Sequence, residues 1–230
     1  MELVTTADGS KTLYHDGIGE HYHSRHGALQ ESKHVFLKSG LQFFLERENQ
    51  QDSVSVLEVG FGTGLNFLLT ADYCTQYHIK LDYCGIEAFP LPLETIRQMG
   101  YENYVDNNIW CDLTDNYRQA CQERVQLNDT ISLHIAHTEV LSFETQRCFD
   151  IIYFDAFAAV HQPEMWNDTT LSHVTKHLKP GGVFVTYAIT GNLKRSMKAL
   201  GFTVEKAPGA PGKREMLRAV FSGLPSPPSK

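Results

Sequence analysis

No stretch of the 230 residues approaches the roughly 20 consecutive apolar positions that a membrane-spanning helix needs. The opening residues, Met1 to Val4, carry neither a basic nor an apolar segment, so no export signal is expected. Cysteine is scarce. Cys74, Cys84, Cys111, Cys121 and Cys148 are odd in number and form no C-x-x-C, which reads as reduced thiols in a cytoplasmic protein and excludes a disulfide framework or zinc ribbon. The 11 histidines are scattered, with no H-E-x-x-H, so no metal is expected. The Gly-Lys-Ser/Thr that grips a triphosphate is also missing. Positive charge is not in excess: 20 Lys and Arg face 27 Asp and Glu, a net charge of −7. That balance argues against a broad non-specific nucleic-acid surface. It leaves local basic clusters at Lys194, Arg195 and Lys198 and at Lys213 and Arg214, each of which is most simply a solvated face.

What the chain does contain is organised around residues 54 to 66. Val54 to Val59 is a short apolar, β-branched run. It breaks at Gly60, Gly62 and Gly64 and resumes as a helical pattern from Leu65. Strand, glycine turn and helix form the entry to a nucleotide-binding α/β unit. The backbone there must turn tightly and approach a ligand closely, and the helix that follows presents unpaired N–H groups to the turn. A dinucleotide fold uses G-x-G-x-x-G. Here the pattern is E-x-G-x-G-x-G, with Glu58 at the strand end. A carboxylate beside the glycines suits a cationic, amino-bearing ligand better than a phosphate, and S-adenosylmethionine has both a sulfonium and an amino group. The plain alternative is a structural glycine turn.

Around this unit the sequence predicts a hairpin over residues 2–14 with its turn at Asp8-Gly9. A polar, aromatic and glycine-broken segment, residues 15–27, follows as a loop or lid. A helix over 31–45, interrupted at Gly40 and packed on the sheet edge, leads to a polar loop at 46–53. Strands are expected at 79–87, 131–136, 149–154 and 183–188, and helices at 91–99, 115–125, 167–178 and 192–200. Lys179 to Gly182 should stop the third of these helices. Residues 202–206 and 216–221 read as a closing antiparallel hairpin, and Pro225 to Lys230 as an unstructured tail. Alternating strands and helices build a doubly wound, mostly parallel sheet. The organisation is then an N-terminal extension (1–50), one α/β domain (51–222) and a tail (223–230).

Ligands of such sheets bind at the carboxyl ends of the strands. The glycine turn, Glu87, the segment after Ala136 and Asp155 all fall on that rim. Glu87, ending the second strand, is an acceptor-only group of the kind that takes hydrogen bonds from both ribose hydroxyls. Methyl transfer needs an acceptor lone pair in line with the S–CH3 bond, so positioning supplies much of the rate. An amine acceptor needs to be neutral and aligned. Asp155, with Phe157 beside it, is placed to accept an N–H bond and aim the lone pair, or else to hold the cofactor's amino group. Asp155 as a plain loop cap is the structural alternative. No cysteine lies in a Pro-Cys motif, so a covalent cysteine mechanism is not expected. Tyr22, His26, Trp110 and Trp166 are candidates for stacking on a base, against the commoner role of core aromatics.

Leu57 to Phe67, Gly85 to Leu91, Asp155 to Ala158 with Pro163 to Trp166, Pro180 to Gly182 and Lys213 to Met216 together resemble the tRNA (5-methylaminomethyl-2-thiouridine) methyltransferase family, and so does Gly27 to Leu37. This is the methyltransferase half of bifunctional MnmC and its stand-alone relative MnmD, and the resemblance covers roughly residues 10–221. It implies a Rossmann-like class I methyltransferase fold. It also implies methyl transfer from S-adenosylmethionine to the amine of 5-aminomethyl-(2-thio)uridine at the tRNA wobble position. The flavin-dependent half would lie outside this chain. The cofactor would meet Glu58, Gly60, Phe61, Gly62, Thr63, Gly64, Asn66, Glu87, Ala88, His137, Thr138 and Asp155. Asp155 and Phe157 would orient the amine, and Tyr22, Glu31, Lys213 and Arg214 would face the anticodon stem-loop. Two departures stand out. Ala136-His137 replaces the family's Gly-Asp, with Thr138 and Glu139 next in line for the lost contact. Ala158-Ala159 replaces Ala-Pro, which predicts a softer loop. A methyltransferase for a small-molecule or protein amine and a non-catalytic cofactor-binding module are the rival readings.

Overall fold

A computed structural model describes residues 1–48 and 51–223; the Pro225 to Lys230 tail lies outside the described residues. The first strands are β1 (Glu2–Thr5), β2 (Lys11–His15) and β3 (Glu20–His21), an antiparallel sheet of their own. The hairpin turn is tied by Asp8, whose Oδ1 accepts from the Ser10 backbone N–H (3.0 Å) and the Thr6 hydroxyl (2.8 Å). That is the Asx chemistry an Asp-Gly turn supplies.

The main sheet comprises β4 (Ser53–Val59), β5 (Lys80–Glu87), β6 (Val125–Gln126), β7 (Ile131–His137), β8 (Phe149–Phe154), β9 (Leu178–Thr186), β10 (Phe202–Pro208) and β11 (Glu215–Phe221). Its spatial order is β10-β11-β9-β8-β4-β5-β7-β6. The run β9-β8-β4-β5-β7 is parallel, and β10, β11 and β6 add antiparallel edges. The two-residue β6 was not legible in the sequence. The order in which strands are added switches sides between the parallel neighbours β4 and β8, so their carboxyl ends form the crevice where such sheets bind ligands. Val56, Leu57, Ile151, Ile152 and Val183 are fully buried, as strands covered on both faces require.

The helices are α1 (Ala28–Ser32), α2 (Phe43–Arg47), α3 (Leu65–Gln76), α4 (Leu93–Gln98), α5 (Asn107–Ala120), α6 (Asp168–Thr175) and α7 (Gly191–Ala199). Three expectations need correction. First, the helix over 31–45 is not interrupted at Gly40. A π-helical segment, Lys33–Gln42, joins α1 to α2 in one rod, and the Phe43 N–H reaches back five residues to the Lys38 carbonyl. The rod lies across the sheet face formed by β8, β9 and β11, not at an edge. Gly40 is what allows this, because a Cβ there would sit 2.8 Å from the Tyr153 ring. Second, α5 begins at Asn107, capped by Asp106, whose side chain accepts from the Asn108 N–H. Third, Lys179 to Gly182 does not stop a helix. It belongs to β9 as an irregularity between the pairs Phe149–Leu178 and Ile151–Val183, a bulge that Gly181, at φ 81°, accommodates. Leu13, Ala28, Val35 and Phe36 share one hydrophobic cluster with Val56, Phe67 and Tyr153, so the N-terminal segment is welded to the sheet.

Candidate functional site

The crevice opens into a cavity of about 890 Å3 lined by three groups of residues. The strand ends contribute Gly60, Gly62, Glu87, Asp155 and Phe157. The loop after β7 contributes Thr138, Glu139 and Leu141. The N-terminal segment closes the top with His15, Glu20, Tyr22, Arg25 and Glu31. Much of the segment between His15 and Arg25 therefore lines the cavity.

Each strand end is held by its neighbour. The Gly60 and Phe61 N–H groups both donate to the Ile86 carbonyl, at 3.0 and 3.2 Å. Gly60 has φ 85°, and a Cβ on it would lie 2.5 Å from the Asp155 carbonyl oxygen. Only glycine satisfies both the backbone angle and that approach. Glu87 Oε2 accepts from the Gly62 N–H and Oε1 from the Phe89 N–H, both at 3.0 Å. The carboxylate is thus fixed beside the glycine turn with lone pairs to spare.

Asp155 lies on the cavity floor, partly exposed to it. Burial pushes its carboxyl up to about 8, and the nearby Glu31 and Glu20 charges add to this. The Asn66 amide, donating to Oδ2 at 2.8 Å, and Lys213 oppose the shift. The residues just after Asp155 are clamped one by one. Ala156 O accepts from the Tyr187 hydroxyl (2.9 Å), Phe157 O from the Trp166 indole (2.7 Å), and the Ala158 N–H donates to Glu20 Oε2 (2.8 Å). The softer loop expected from Ala158-Ala159 is braced instead by distant side chains. Tyr22 packs edge-on to Phe157 at 5.1 Å, with His15 at 6.0 Å from the same ring.

Several assignments from sequence shift by one layer. Glu58 does not reach the cavity. It is fully buried, and its oxygens accept from Asn66 Nδ2 and the Tyr83 hydroxyl, each at 2.8 Å. Burial holds its carboxyl well above the usual range. Asn66 lies beneath the floor as well. The Phe61 ring fills the space over Gly85 and Gly64, and Thr63 shares a 3.0 Å hydroxyl contact with Tyr101. None of these, nor Gly64, lines the cavity. His137 is exposed and turned away from it, whereas Ala88, Thr138 and Glu139 do line it. Lys213 is not a free cation. Its Nζ donates to Glu31 Oε1 at 2.7 Å and sits 4.0 Å from the Tyr187 ring centroid. Arg214 is exposed and lies outside the cavity. Of the other aromatics, His26 is exposed and Trp110 packs against the core. The sequence reading missed Glu20, His15, Phe89 and Tyr187. Phe89, 77% exposed at the rim, was the most findable, standing two residues after Glu87.

Residues 104–222 match the family described as S-adenosyl-L-methionine-dependent methyltransferase. The chain belongs to that family. Among relatives of this methyltransferase is the "tRNA 5-methylaminomethyl-2-thiouridine biosynthesis bifunctional protein MnmC" of Methylobacillus flagellatus, 30% identical over 91% of this chain and 34% of its own. The MnmC of Magnetococcus marinus is 31% identical over 91% of this chain and 32% of its own. The chain thus spans about a third of the length of these relatives and is similar to their methyltransferase part. The crystal structure of MNMC2 from Aquifex aeolicus superposes with a TM-score of 0.75 at 24% identity, covering all of this chain and 72% of that one. It has the same Rossmann-like fold. S-adenosyl-L-methionine is the family's cofactor. Among the described residues of this methyltransferase, no group of three or more metal-ligating side chains occurs, and no helix is long and apolar enough to cross a membrane.

Proposed function

We propose that this methyltransferase acts on the primary amine of 5-aminomethyl-(2-thio)uridine at the tRNA wobble position, giving the methylaminomethyl base. The observation that carries the reading is Asp155. It is a carboxyl pushed up to about 8 by burial, on the floor of a cavity walled by Tyr22, Phe157 and Tyr187. Flat rings suit a base, and an acceptor poised near neutrality suits an amine that arrives protonated. The names of the MnmC relatives point to the same reaction.

The residues present fit the cofactor. Glu87, anchored by two backbone N–H groups and acceptor-only, would take the ribose hydroxyls. The cradle at Gly60 and Gly62 would take the amino-acid portion, and Ala88, Phe89, Thr138 and Glu139 the adenine end. When bound, it supplies an electrophilic methyl group. In its ionised form, whose share grows as pH rises towards 8, Asp155 takes a proton from the ammonium at Oδ1 or Oδ2, so that the nitrogen lone pair is free. Tyr22 and Phe157, edge-on to each other, would wall the base so that this lone pair points one way. Such alignment is worth on the order of 7–11 kcal/mol in favourable cases. The tRNA body would meet the outer rim, where Arg25 and Arg214 are exposed. We place the reaction in the cytoplasm, where tRNA is matured.

The test is direct. The protein is incubated with S-adenosylmethionine and tRNA from cells halted at the aminomethyl base, and the digested nucleosides are weighed. A gain of one methyl on that nucleoside is expected. Cofactor binding without that gain would redirect the search to small-molecule or protein amines, which the net charge of −7 would suit.

A further inference from the structure

Beneath the cavity floor, one side-chain amide bridges two carboxyls. Asn66 Nδ2 donates to Asp155 Oδ2 and to Glu58 Oε1, both at 2.8 Å. Its own Oδ1 is buried with no partner among the described residues. Glu58 Oε2 meets the Tyr83 hydroxyl at 2.8 Å. Asn66 is 3% exposed, and Glu58 and Tyr83 are fully buried. An amide that leaves its carbonyl orphaned forgoes a hydrogen bond, which makes sense where the two N–H groups are needed elsewhere.

We propose that Asn66 is a positioning residue that keeps Asp155 able to accept a proton, and that Glu58 is held neutral beneath it so that the amide serves Asp155 without a second buried negative charge.

The argument starts from charge. A carboxylate with no exposure needs a cation or several donors. Glu58 has two donors and, among the described residues, no cation in contact. The titratable groups around it, Asp155 and Glu87, are acids, whose charge opposes its ionisation. It therefore keeps its proton, which lies on the bond to Tyr83, where either oxygen is able to donate. Asp155 faces Asn66 from α3, Glu31 from α1, Glu20 from β3, Lys213 from the loop between β10 and β11, and Tyr187 after β9. Of these, Asn66 makes the direct hydrogen bond to its carboxyl, and Lys213 is already paired with Glu31. Removing that N–H leaves the charged form of Asp155 with less support than the neutral form.

The proposal rests on the role given to Asp155 above, but its test needs neither tRNA nor turnover. Carboxyl titrations are followed by NMR in cofactor-free protein labelled at aspartate side-chain carbons, with the Asp155 signal identified by its loss in Asp155→Asn. In Asn66→Ala the Asp155 midpoint should rise by about one to two pH units, the equivalent of a charge-assisted hydrogen bond. In Glu58→Gln, which keeps a neutral group of the same shape, the midpoint should stay where it is. An unmoved midpoint in Asn66→Ala overturns the role of Asn66. A midpoint that falls by a unit or more in Glu58→Gln overturns the neutral Glu58, because a charge would then have been removed. Should Asn66→Ala fail to fold, Asn66→Ser and Glu58→Gln carry the same decisions. If these titrations behave as expected while the tRNA assay fails, the positioning role of Asn66 stands and the substrate assignment falls.

Discussion

The two ends of the parallel sheet treat their acidic residues in opposite ways. At the amino ends, Asp82 of β5 pairs with Arg147 and with Arg124 (3.2 Å) and accepts from the Ser132 hydroxyl at 3.0 Å. Asp150 of β8 pairs with Lys179 at 2.9 Å and accepts from the Ser55 N–H at 2.8 Å. Burial alone would push Asp82 up, yet Arg147, Ser132 and Arg124 outweigh it and hold the carboxyl below its usual range. At the carboxyl ends, Asp155 and Glu58 lie in the same sheet with no cation in direct contact among the described residues, and both are pushed up. The same backbone therefore carries one acid cluster that is compensated and one that is not. Compensation is what stability selects. Its absence at the rim where ligands bind is what chemistry requires, because a perturbed acid in a cavity is a usable proton acceptor.

The largest effect that would break this comparison is expected at Asp155. Asp155→Ala should cut methyl transfer by at least about a hundredfold, the usual scale for losing a positioned proton acceptor, with the circular dichroism spectrum unchanged. Near-normal turnover would remove the chemical meaning of the uncompensated end.

The next effect concerns stability. An aspartate titrates near 3.9 in an unfolded chain, whereas Asp155 in the folded protein titrates at about 8. Between those values the unfolded chain gives up its proton and the folded one keeps it, so stability falls as pH rises and levels off above 8. Asp155→Asn removes the dependence. Its melting temperature should match wild type near pH 4 and exceed it above pH 8, by the equivalent of about 2–4 kcal/mol after allowing for partial exposure. An equal difference at both pH values would mean that packing, not charge, decides.

Asp82→Ala should do the reverse at the other end. It should lower stability by about 1–2 kcal/mol in urea titration, since two partly exposed arginines lose their partner, and leave methyl transfer unchanged. Because the carboxyl is held low, this contribution is present at neutral pH and lost as pH falls through the folded-state value. A variant as stable as wild type would make the amino-end pairs decorative.

The sequence made one end of this contrast more legible than the other. The run from Val54 to Asn66 declares itself because glycine spacing, strand and helix occupy a dozen consecutive residues. Asp155 was legible for the same reason, standing at the end of the apolar strand Phe149 to Phe154. The depth of Glu58 was not legible because every residue from Val56 to Val59 is buried, and alternation along such a strand does not say which side chains reach the cavity. The pairing of Lys213 was not legible because its partner Glu31 is 182 residues away, and no local pattern encodes it. Glu20 and Tyr187, which clamp the Asp155 loop, were invisible for the same reason. The pairing of Asp82 with Arg124 and Arg147 is equally non-local.

The smallest effect tests the rim itself. Lys213 is committed to Glu31 and to the Tyr187 ring, whereas Arg214 and Arg25 are exposed and available to meet phosphate. If RNA docks there, Arg214→Ala should weaken tRNA binding about equally for all sequences. It should also reduce the slope of log affinity against log salt by about one, the value for one lost phosphate contact. Lys213→Ala should leave that slope unchanged while lowering turnover, because it removes a charge beside Asp155 and not one beside phosphate. Filter binding across salt concentrations separates the two. Equal slopes for wild type and Arg214→Ala would move the RNA path to the basic face of α7, at Lys194, Arg195 and Lys198, and the net negative charge of the chain would then confine docking to that face.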